Sequence, residues 1–116
     1  MAAERHGRWG AAIEVPGLGA LKVRFAEVNS VSCASAGSCV ACGEYDIRRG
    51  RQGFVAVERD GVWGRAIEVP GLRALNTGGN AFVFSVSCAS PGNCAAGGGY
   101  SDRRDRSQGF VVSQAG

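Results

Sequence analysis

Lysine and histidine are almost absent from this chain. Each occurs once, as Lys22 and His6, so arginine carries nearly all of the positive charge. Charged residues make up only 20% of the 116 residues, and the formal net charge of +3 is mild. A balance of this kind does not favour a nucleic-acid partner, which usually requires a concentrated basic surface. We therefore predict no nucleic-acid binding.

Long hydrophobic runs are also missing. No segment approaches the 18 or more apolar residues that a membrane-spanning helix needs, so no membrane contact is predicted. Residues 1–10 lack the apolar centre of a signal peptide. The expectation is that the protein stays inside the cell or that a leader has been removed, so the N-terminal residues leave the compartment open.

Glycine is abundant, with 19 residues, and hydrophobic residues make up 45% of the chain. Many valines and few helix-forming residues favour short strands joined by tight turns. The composition therefore predicts an all-β fold with enough apolar residues for a packed core.

An internal repeat of about 55 residues organises the chain into one domain, 1–116, with repeats at 4–57 and 58–114. The matching segments are ERHGRWGAAIEVPGLGAL with ERDGVWGRAIEVPGLRAL, SVSCASAGSCVACGEY with SVSCASPGNCAAGGGY, and RQGFVAV with SQGFVVS. The spacing of equivalent residues grows from 54 (Trp9 to Trp63) to 56 (Phe54 to Phe110), and both length changes fall in predicted loops. Insertions collect in loops because strands cannot absorb them without losing register.

Each repeat is predicted to form four short antiparallel strands. Asp60-Gly61 and His6-Gly7 occupy equivalent hairpin turns, for which Asp-Gly is a strong signal. The predicted strands are Val28–Ala34, Cys39–Tyr45, Gly53–Glu58 and Trp63–Val69 in one unit, with Val83–Ala89, Cys94–Tyr100, Gly109–Gln114 and Trp9–Val15 as their equivalents. Four strands per 55 residues suit a propeller blade, with a β-sandwich as the main alternative.

The SVSCAS block, the GxC motif, the GFV segment and the GxW motif together resemble the repeated blades of actinobacterial β-propeller proteins. The arrangement is also similar in architecture to small oligomeric propeller lectins, in which two-blade chains complete a ring. No sugar-binding motif of those lectins is present, and only the last part of a sialidase Asp-box occurs, at residues 60–63. The resemblance implies a non-enzymatic, lectin-like binding protein.

Strand order implies that copies of the chain associate. The chain begins with a predicted fourth strand and ends with three strands, so the last blade requires a fourth strand from a neighbour. Because rings usually have four to eight blades, a dimer, a trimer or a tetramer is permitted, and the trimer with six blades is favoured. A fragment of a longer propeller is the alternative.

Four of the five cysteines form two equivalent pairs, Cys33 with Cys39 and Cys88 with Cys94. Each pair spans a predicted turn between adjacent strands, which favours two structural disulfides and an extracellular location. Zinc binding and buried free thiols are the alternatives, although the spacing is not that of zinc knuckles. Cys42 has no counterpart and is predicted to be a small buried apolar residue.

Two arginine-rich loops, 46–51 and 101–106, are the most suggestive candidate binding site. They are either solvated hairpins or contacts for an anion or acidic glycan, since guanidinium groups bind carboxylate, sulfate and phosphate. The two tryptophans are either core residues or platforms for a sugar ring. The candidate ligand-binding residues are Arg48, Arg49, Arg103, Arg104, Asn76, Asn80, Trp9 and Trp63.

Any ligand is expected on the face that carries the arginine loops together with the links 18–27 and 72–82. The opposite face, with turns such as Asp60-Gly61, is expected to offer little to grip. No catalytic residue, metal site or cofactor is predicted, because Glu14 and Glu68 belong to different blades and no histidine–aspartate pair is in view. The two functions left open are a carbohydrate-binding oligomer and a protein-interaction or purely structural scaffold.

Overall fold

Two antiparallel sheets and a small hairpin make up the fold in the computed structural model, which describes residues 2–19, 24–48 and 50–114. The only α-helix assigned in these ranges is short, and no helix there is long and apolar enough to span a membrane. In chain order the elements are β1 (Glu4–Arg5), β2 (Arg8–Trp9), β3 (Ala26–Ser35), β4 (Ser38–Ile47), β5 (Gly50–Arg59), β6 (Val62–Trp63), β7 (Ile67–Glu68), α1 (Leu72–Leu75), β8 (Ala81–Ser90), β9 (Asn93–Ser101) and β10 (Ser107–Ser113).

The first sheet has the order β3-β4-β5-β6, and β7 pairs with β5 beside β6. The second sheet has the order β8-β9-β10. The first three predicted strands of both units are therefore confirmed, and most extend a few residues beyond the predicted ends. The all-β prediction is confirmed as well, because valine-rich segments between turn residues form the strands.

The predicted fourth strand, Trp63–Val69, is broken into β6 and β7. The Gly64 amide still bonds to Val57 O (2.8 Å), but the Ala66 amide donates to Pro16 O (2.8 Å). An amide that bonds to another segment cannot contribute to the ladder with β5, so pairing stops and resumes at Ile67. The prediction of one continuous strand is wrong at this point.

The predicted N-terminal strand, Trp9–Val15, is also mostly wrong. Only Arg8–Trp9 is a strand, and its partner is β1, with Glu4 opposite Trp9. Residues 10–15 are not assigned as a strand. The hairpin of β1 and β2 belongs to neither of the two larger sheets.

Both predicted hairpin turns have positive φ at their two central residues, which type I′ turns require. The values are 50° and 75° at His6 and Gly7, and 52° and 79° at Asp60 and Gly61. The equivalence of His6 and Asp60 as turn residues is thus confirmed.

The disulfides Cys33–Cys39 and Cys88–Cys94 are present, as the spacing predicts, and Cys42 is a buried free cysteine. Each disulfide joins two residues directly opposite each other in a strand pair, β3 with β4 and β8 with β9. These positions lie next to the turn that connects the strands, so each bridge fixes a hairpin end.

The main core lies between the sheets, where one face of each meets the other. We call these the inner faces. The first sheet contributes Val40 and Cys42 to this core, while the second contributes Val83, Val86 and Ala96. The link after β7 adds two further buried residues, Val69 and Leu72. Burial of these apolar side chains is the main force that joins the sheets.

The strands β3 and β8 lie side by side at one edge of the interface. The hydroxyl of Ser30 accepts from Val86 N (3.4 Å), and that of Ser32 accepts from Cys88 N (3.1 Å). Serine side chains of the first sheet thus satisfy amides on the open edge of the second, which would otherwise be exposed to another strand.

A second core cluster covers part of the opposite face of the first sheet, which we call its outer face. Phe54 and Ala56 are buried there beneath Val15 and Leu18 of the N-terminal segment. Trp63 packs against the margin of this cluster.

Candidate binding surfaces

The arginine-rich loops lie at one end of the sheets, with the link of residues 76–80 between them. Arg51 N donates to Gly79 O (2.8 Å), which ties the link to the β4–β5 hairpin. Gly78 N donates to Ser101 O (2.7 Å), which ties it to the β9–β10 hairpin. We call this region the arginine end. It contains Arg48, Arg103, Arg104, Asn76 and Asn80, and Arg49 lies outside the described residues.

Arg51 is engaged within the protein. Its Nη1 lies 3.2 Å from Glu44 Oε2 and its Nε lies 3.6 Å from Asp46 Oδ1. The guanidinium carbon lies 4.4 Å from the centre of the Phe25 ring, a cation–π contact. These contacts hold the end of β5 in place and leave this guanidinium poorly suited to a ligand.

Asp102 organises the second arginine loop. Its Oδ1 accepts from the amides of Arg104 and Arg106, both at 2.9 Å, and its Oδ2 accepts from Gln108 Nε2 at 3.0 Å. These bonds, chiefly that from the Arg106 amide and then that from Gln108, lower the pKa of Asp102 below its ordinary value. No pattern in the sequence singled out this residue.

The exposed arginines of this loop are Arg103, Arg104 and Arg106. None of them forms a salt bridge to another described residue, so their donors face solvent on a backbone that Asp102 fixes. Guanidinium groups held in this way suit carboxylate, sulfate or phosphate. Whether they bind a ligand stays a prediction.

The two asparagines of the link differ in their surroundings. Asn76 Nδ2 donates to Arg51 O (3.1 Å), while its Oδ1 is buried and has no hydrogen-bond partner among the described residues. Asn80 is exposed, and its backbone oxygen accepts from Ser101 N (2.8 Å). Asn76 therefore contributes mainly to joining the link to β5, and Asn80 is the more accessible of the two.

The tryptophans lie away from the arginine end. Trp63 stands opposite Glu58 near the Asp60-Gly61 turn, at the other end of β5. It is half-buried against the cluster that contains Phe54. Trp9, in contrast, is 70% exposed. The structure thus separates Trp63 from the predicted arginine site, and the two tryptophans have different environments despite their equivalence in sequence.

The turn-bearing end of the sheets contains a cleft of about 430 Å³. Turns of both sheets line this cleft, although this face was expected to offer little to grip. Its polar lining comes from Ser35, Ser38, Glu58, Arg59, Asp60 and Gln114.

Two features give this cleft a defined shape. Gly61 N donates to Gly37 O (3.1 Å), which joins the two turns of the first sheet. Gln114 Oε1 is buried and has no hydrogen-bond partner among the described residues. Sequence reasoning missed the cleft because its lining comes from four separate turns and strand ends. The cleft can offer hydroxyl, carboxylate and amide groups to a polar ligand.

Groups that would support chemistry are not gathered together. Among the described residues no cluster of three or more histidine, cysteine, aspartate or glutamate side chains could hold a metal ion. Burial raises the pKa of the Cys42 thiol to about 11, which suppresses the nucleophilic thiolate. Glu68 is bound by Arg73 through two hydrogen bonds of 3.0 and 2.9 Å.

Comparisons with known proteins give no match: no protein-family model, curated protein or solved structure is significantly similar to this chain.

Proposed function

We propose that this protein is a non-enzymatic, carbohydrate-binding module in which each chain supplies two propeller-type blades. Several copies complete the ring, and a trimer with six blades is the favoured assembly. The antiparallel order of the strands and the face-to-face packing of the sheets support this proposal. The two disulfides support an extracellular location.

The observation that carries the binding function is the polar cleft between the turns. A volume of about 430 Å³ lies within the usual range for small-molecule sites. Glu58 and Asp60 supply acceptors for sugar hydroxyls, and Ser35 and Ser38 supply groups that both donate and accept. Arg59 adds a cationic donor beside these two carboxylates, so the lining contains charges of both signs and suits a neutral sugar that presents many hydroxyls.

A weak site becomes effective when several copies present it on one ring, since multivalent attachment raises the apparent affinity. The arginine end would then be a second candidate surface, suited to an acidic glycan. The two surfaces lie at opposite ends of the sheets, so substitutions can test them separately.

The test is a glycan array followed by titration calorimetry with the best ligand. Glu58→Gln with Asp60→Asn should weaken binding of a neutral glycan at least about tenfold, because each loses a charged acceptor of similar shape. Asparagine tolerates the positive φ of 52° at residue 60, so the turn is retained. Arg103→Ser with Arg104→Ser is the matched control at the other end.

If only the arginine variant loses binding, the site lies at the arginine end and the ligand is anionic. If the wild-type protein binds no glycan at millimolar concentration, the carbohydrate proposal fails. The alternative, a protein-interaction or purely structural scaffold, is supported by the exposed guanidinium groups on the loop that Asp102 fixes. Native mass spectrometry in cell extract would then show a stoichiometric partner that the arginine variant does not retain.

A further inference from the structure

By the internal repeat, the outer face of the first sheet corresponds to the inner face of the second, and the outer face of the second corresponds to the inner face of the first. The two outer faces are therefore equivalent to the two surfaces that pack against each other between the sheets. The second-sheet outer face contains Phe82, Phe84, Ser85, Ser87 and Val111. Pairing places Ser85 and Val111 opposite Gly97, and Ser87 opposite Ala95, on the side away from the core. The first-sheet outer face contains Val28 and Val31, which lie opposite Gly43 and Ala41.

The internal repeat shows how each outer face is covered when a neighbour is present. Val86, the equivalent of Val31, is 7% exposed because it packs on the first sheet, whereas Val31 itself is 55% exposed. Val83 is 0% exposed, whereas its equivalent Val28 is 37% exposed. The β3 part of the first-sheet outer face therefore has the sequence of a covered surface but is exposed in the single chain.

The outer face of the second sheet is also exposed where its equivalent is covered. Val55 of the first sheet packs against the core between the sheets, whereas its equivalent Val111 is 86% exposed. Phe82 and Phe84 are exposed beside it, with their rings 6.2 Å apart. A cluster of large exposed apolar side chains on one sheet face is typical of an interaction surface.

The serine contacts repeat in the same way. Ser30 and Ser32 accept from the amides of Val86 and Cys88, and the equivalents of these serines are Ser85 and Ser87. Both of the latter are exposed. The amides equivalent to those of Val86 and Cys88 belong to Val31 and Cys33, on the open edge of β3. Each chain therefore carries both the donors and the acceptors of a second interface equivalent to the one between its own sheets.

We propose that the second-sheet outer face binds the first-sheet outer face of a second copy of this chain, head to tail. Ser85 and Ser87 of one copy then accept from the amides of Val31 and Cys33 of the next, and Val111 packs near Val31. The contact repeats the one between β3 and β8 within the chain. Such an interface joins two different surfaces and can therefore extend to a closed ring.

The N-terminal segment of the neighbouring copy completes the edge of β10. In the first sheet β5 pairs Val55 with Ile67 and Glu58 with Trp63. Translated to the equivalent residues, the register on β10 places Val111 opposite Ile13 and Gln114 opposite Trp9. This register would cover Trp9, which is 70% exposed in the single chain.

This inference rests on the proposed assembly of several copies and is independent of the ligand. It is tested with two variants, Val31→Lys and Val111→Glu, whose oligomeric states are measured by native mass spectrometry and analytical ultracentrifugation. Wild-type protein should exceed the monomer mass of 12.0 kDa. Each variant alone should raise the dissociation concentration at least about tenfold, because it places an unpaired charge in an apolar interface.

The double variant Val31→Lys with Val111→Glu should restore the wild-type assembly. In a head-to-tail ring of any number of copies each junction of this variant pairs Lys with Glu, so no junction contains an unpaired charge. Val62→Glu is the matched control, since Val62 is also exposed and arginine occupies the equivalent position 8. Circular dichroism and a count of one free thiol establish that each variant is folded.

Three results would overturn the inference. Monomeric wild-type protein at all concentrations would refute both the assembly and this interface. An oligomer that survives each single substitution unchanged would refute the interface alone, as would a double variant that does not recover the wild-type mass. Should one variant fail to fold, Ser85→Ala with Ser87→Ala removes the two acceptors while keeping the exposed faces apolar, and it should weaken the assembly in the same assay.

Discussion

At the scale of single residues, Cys42 shows how burial changes the chemistry of a thiol. Its side chain is fully buried between the sheets, and desolvation raises its pKa from 9.0 to about 11. A hydrogen bond involving the Ser30 backbone lowers the pKa and only partly offsets this effect. Gly97 occupies the equivalent position on the second-sheet outer face, where no buried side chain is needed.

We expect the native protein to react with a thiol reagent at pH 8 about a hundredfold more slowly than an unperturbed cysteine does. The factor follows from the smaller thiolate fraction at a pKa of about 11 than at 9.0, before any effect of limited access. The measurement is the rate of absorbance change with an aromatic disulfide reagent. Denatured protein should release one equivalent at the ordinary rate. A native rate equal to the denatured one would contradict the burial of Cys42.

Asp102 gives a prediction about pH. Its folded pKa lies below the unfolded value, so the ionised carboxylate stabilises the arginine loop at pH values above the ordinary pKa. This stabilisation is lost as the pH falls through the lowered folded pKa. In an NMR titration, the amides of Arg104 and Arg106 should therefore shift with a midpoint below 3.8.

Asp102→Asn should abolish that transition, since an amide does not ionise in this range. Asp105→Asn is the control, because Asp105 has a positive φ of 61° that asparagine tolerates and its side chain accepts neither amide. If the transition persists in Asp102→Asn and disappears in Asp105→Asn, the shift does not come from Asp102 and the prediction is contradicted.

At the scale of elements, the type I′ turns allow a comparison between matched glycines. Gly61 and Gly7 both have positive φ, but Gly61 joins β5 to β6 in a large sheet, whereas Gly7 joins β1 to β2 outside it. In dilute protein, Gly61→Ala should lower the free energy of unfolding by about 1 kcal/mol, and Gly7→Ala should lower it less. Urea unfolding followed by circular dichroism measures both. Equal losses would mean that the N-terminal hairpin unfolds together with the sheets.

The long paired strands could be predicted from the sequence, whereas the interruption of the fourth strand in each unit could not. The three long strands of each unit were predictable because turns such as Ser90-Pro91-Gly92-Asn93 bound valine-rich segments, and the repeat gave every boundary twice. The break between β6 and β7 was not predictable, since it depends on the Ala66 amide finding Pro16 O, which is far away in sequence. Residues 10–15 share their pattern with a segment that does pair, so pattern alone could not distinguish them.

The same limit applies to the candidate surfaces. The grouping of the arginine hairpins with the link of residues 76–80 followed from strand order, because links between successive strands alternate between the two ends of a sheet. The cleft between the turns depends on how far the two sheets diverge, and that is a property of their packing. Asp102 likewise required knowledge of which amides the loop turns toward its carboxylate.

At the scale of the whole molecule, two similar units lie in different surroundings. The residue in the β-bulge is one of the positions at which they differ. The bulge lies between Val28 and Ser30 in β3 and between Val83 and Ser85 in β8. The first contains Asn29, whose Nδ2 donates to Val83 O (2.8 Å) and to Glu44 Oε1 (3.2 Å). The second contains Phe84, which is exposed on the outer face.

Tandem units that share most of their sequence risk misfolding, because a nascent sheet can dock in the position of its neighbour. In the exchanged arrangement Phe84 takes the place of Asn29 and Val28 takes the place of Val83, so the carbonyl of Val28 would have no side-chain donor from the bulge. A buried carbonyl without a partner costs about 1–3 kcal/mol, enough to make the exchanged arrangement rare at equilibrium. The hydrogen bond from the bulge asparagine to Val83 O therefore favours the native order of the two units over the exchanged one.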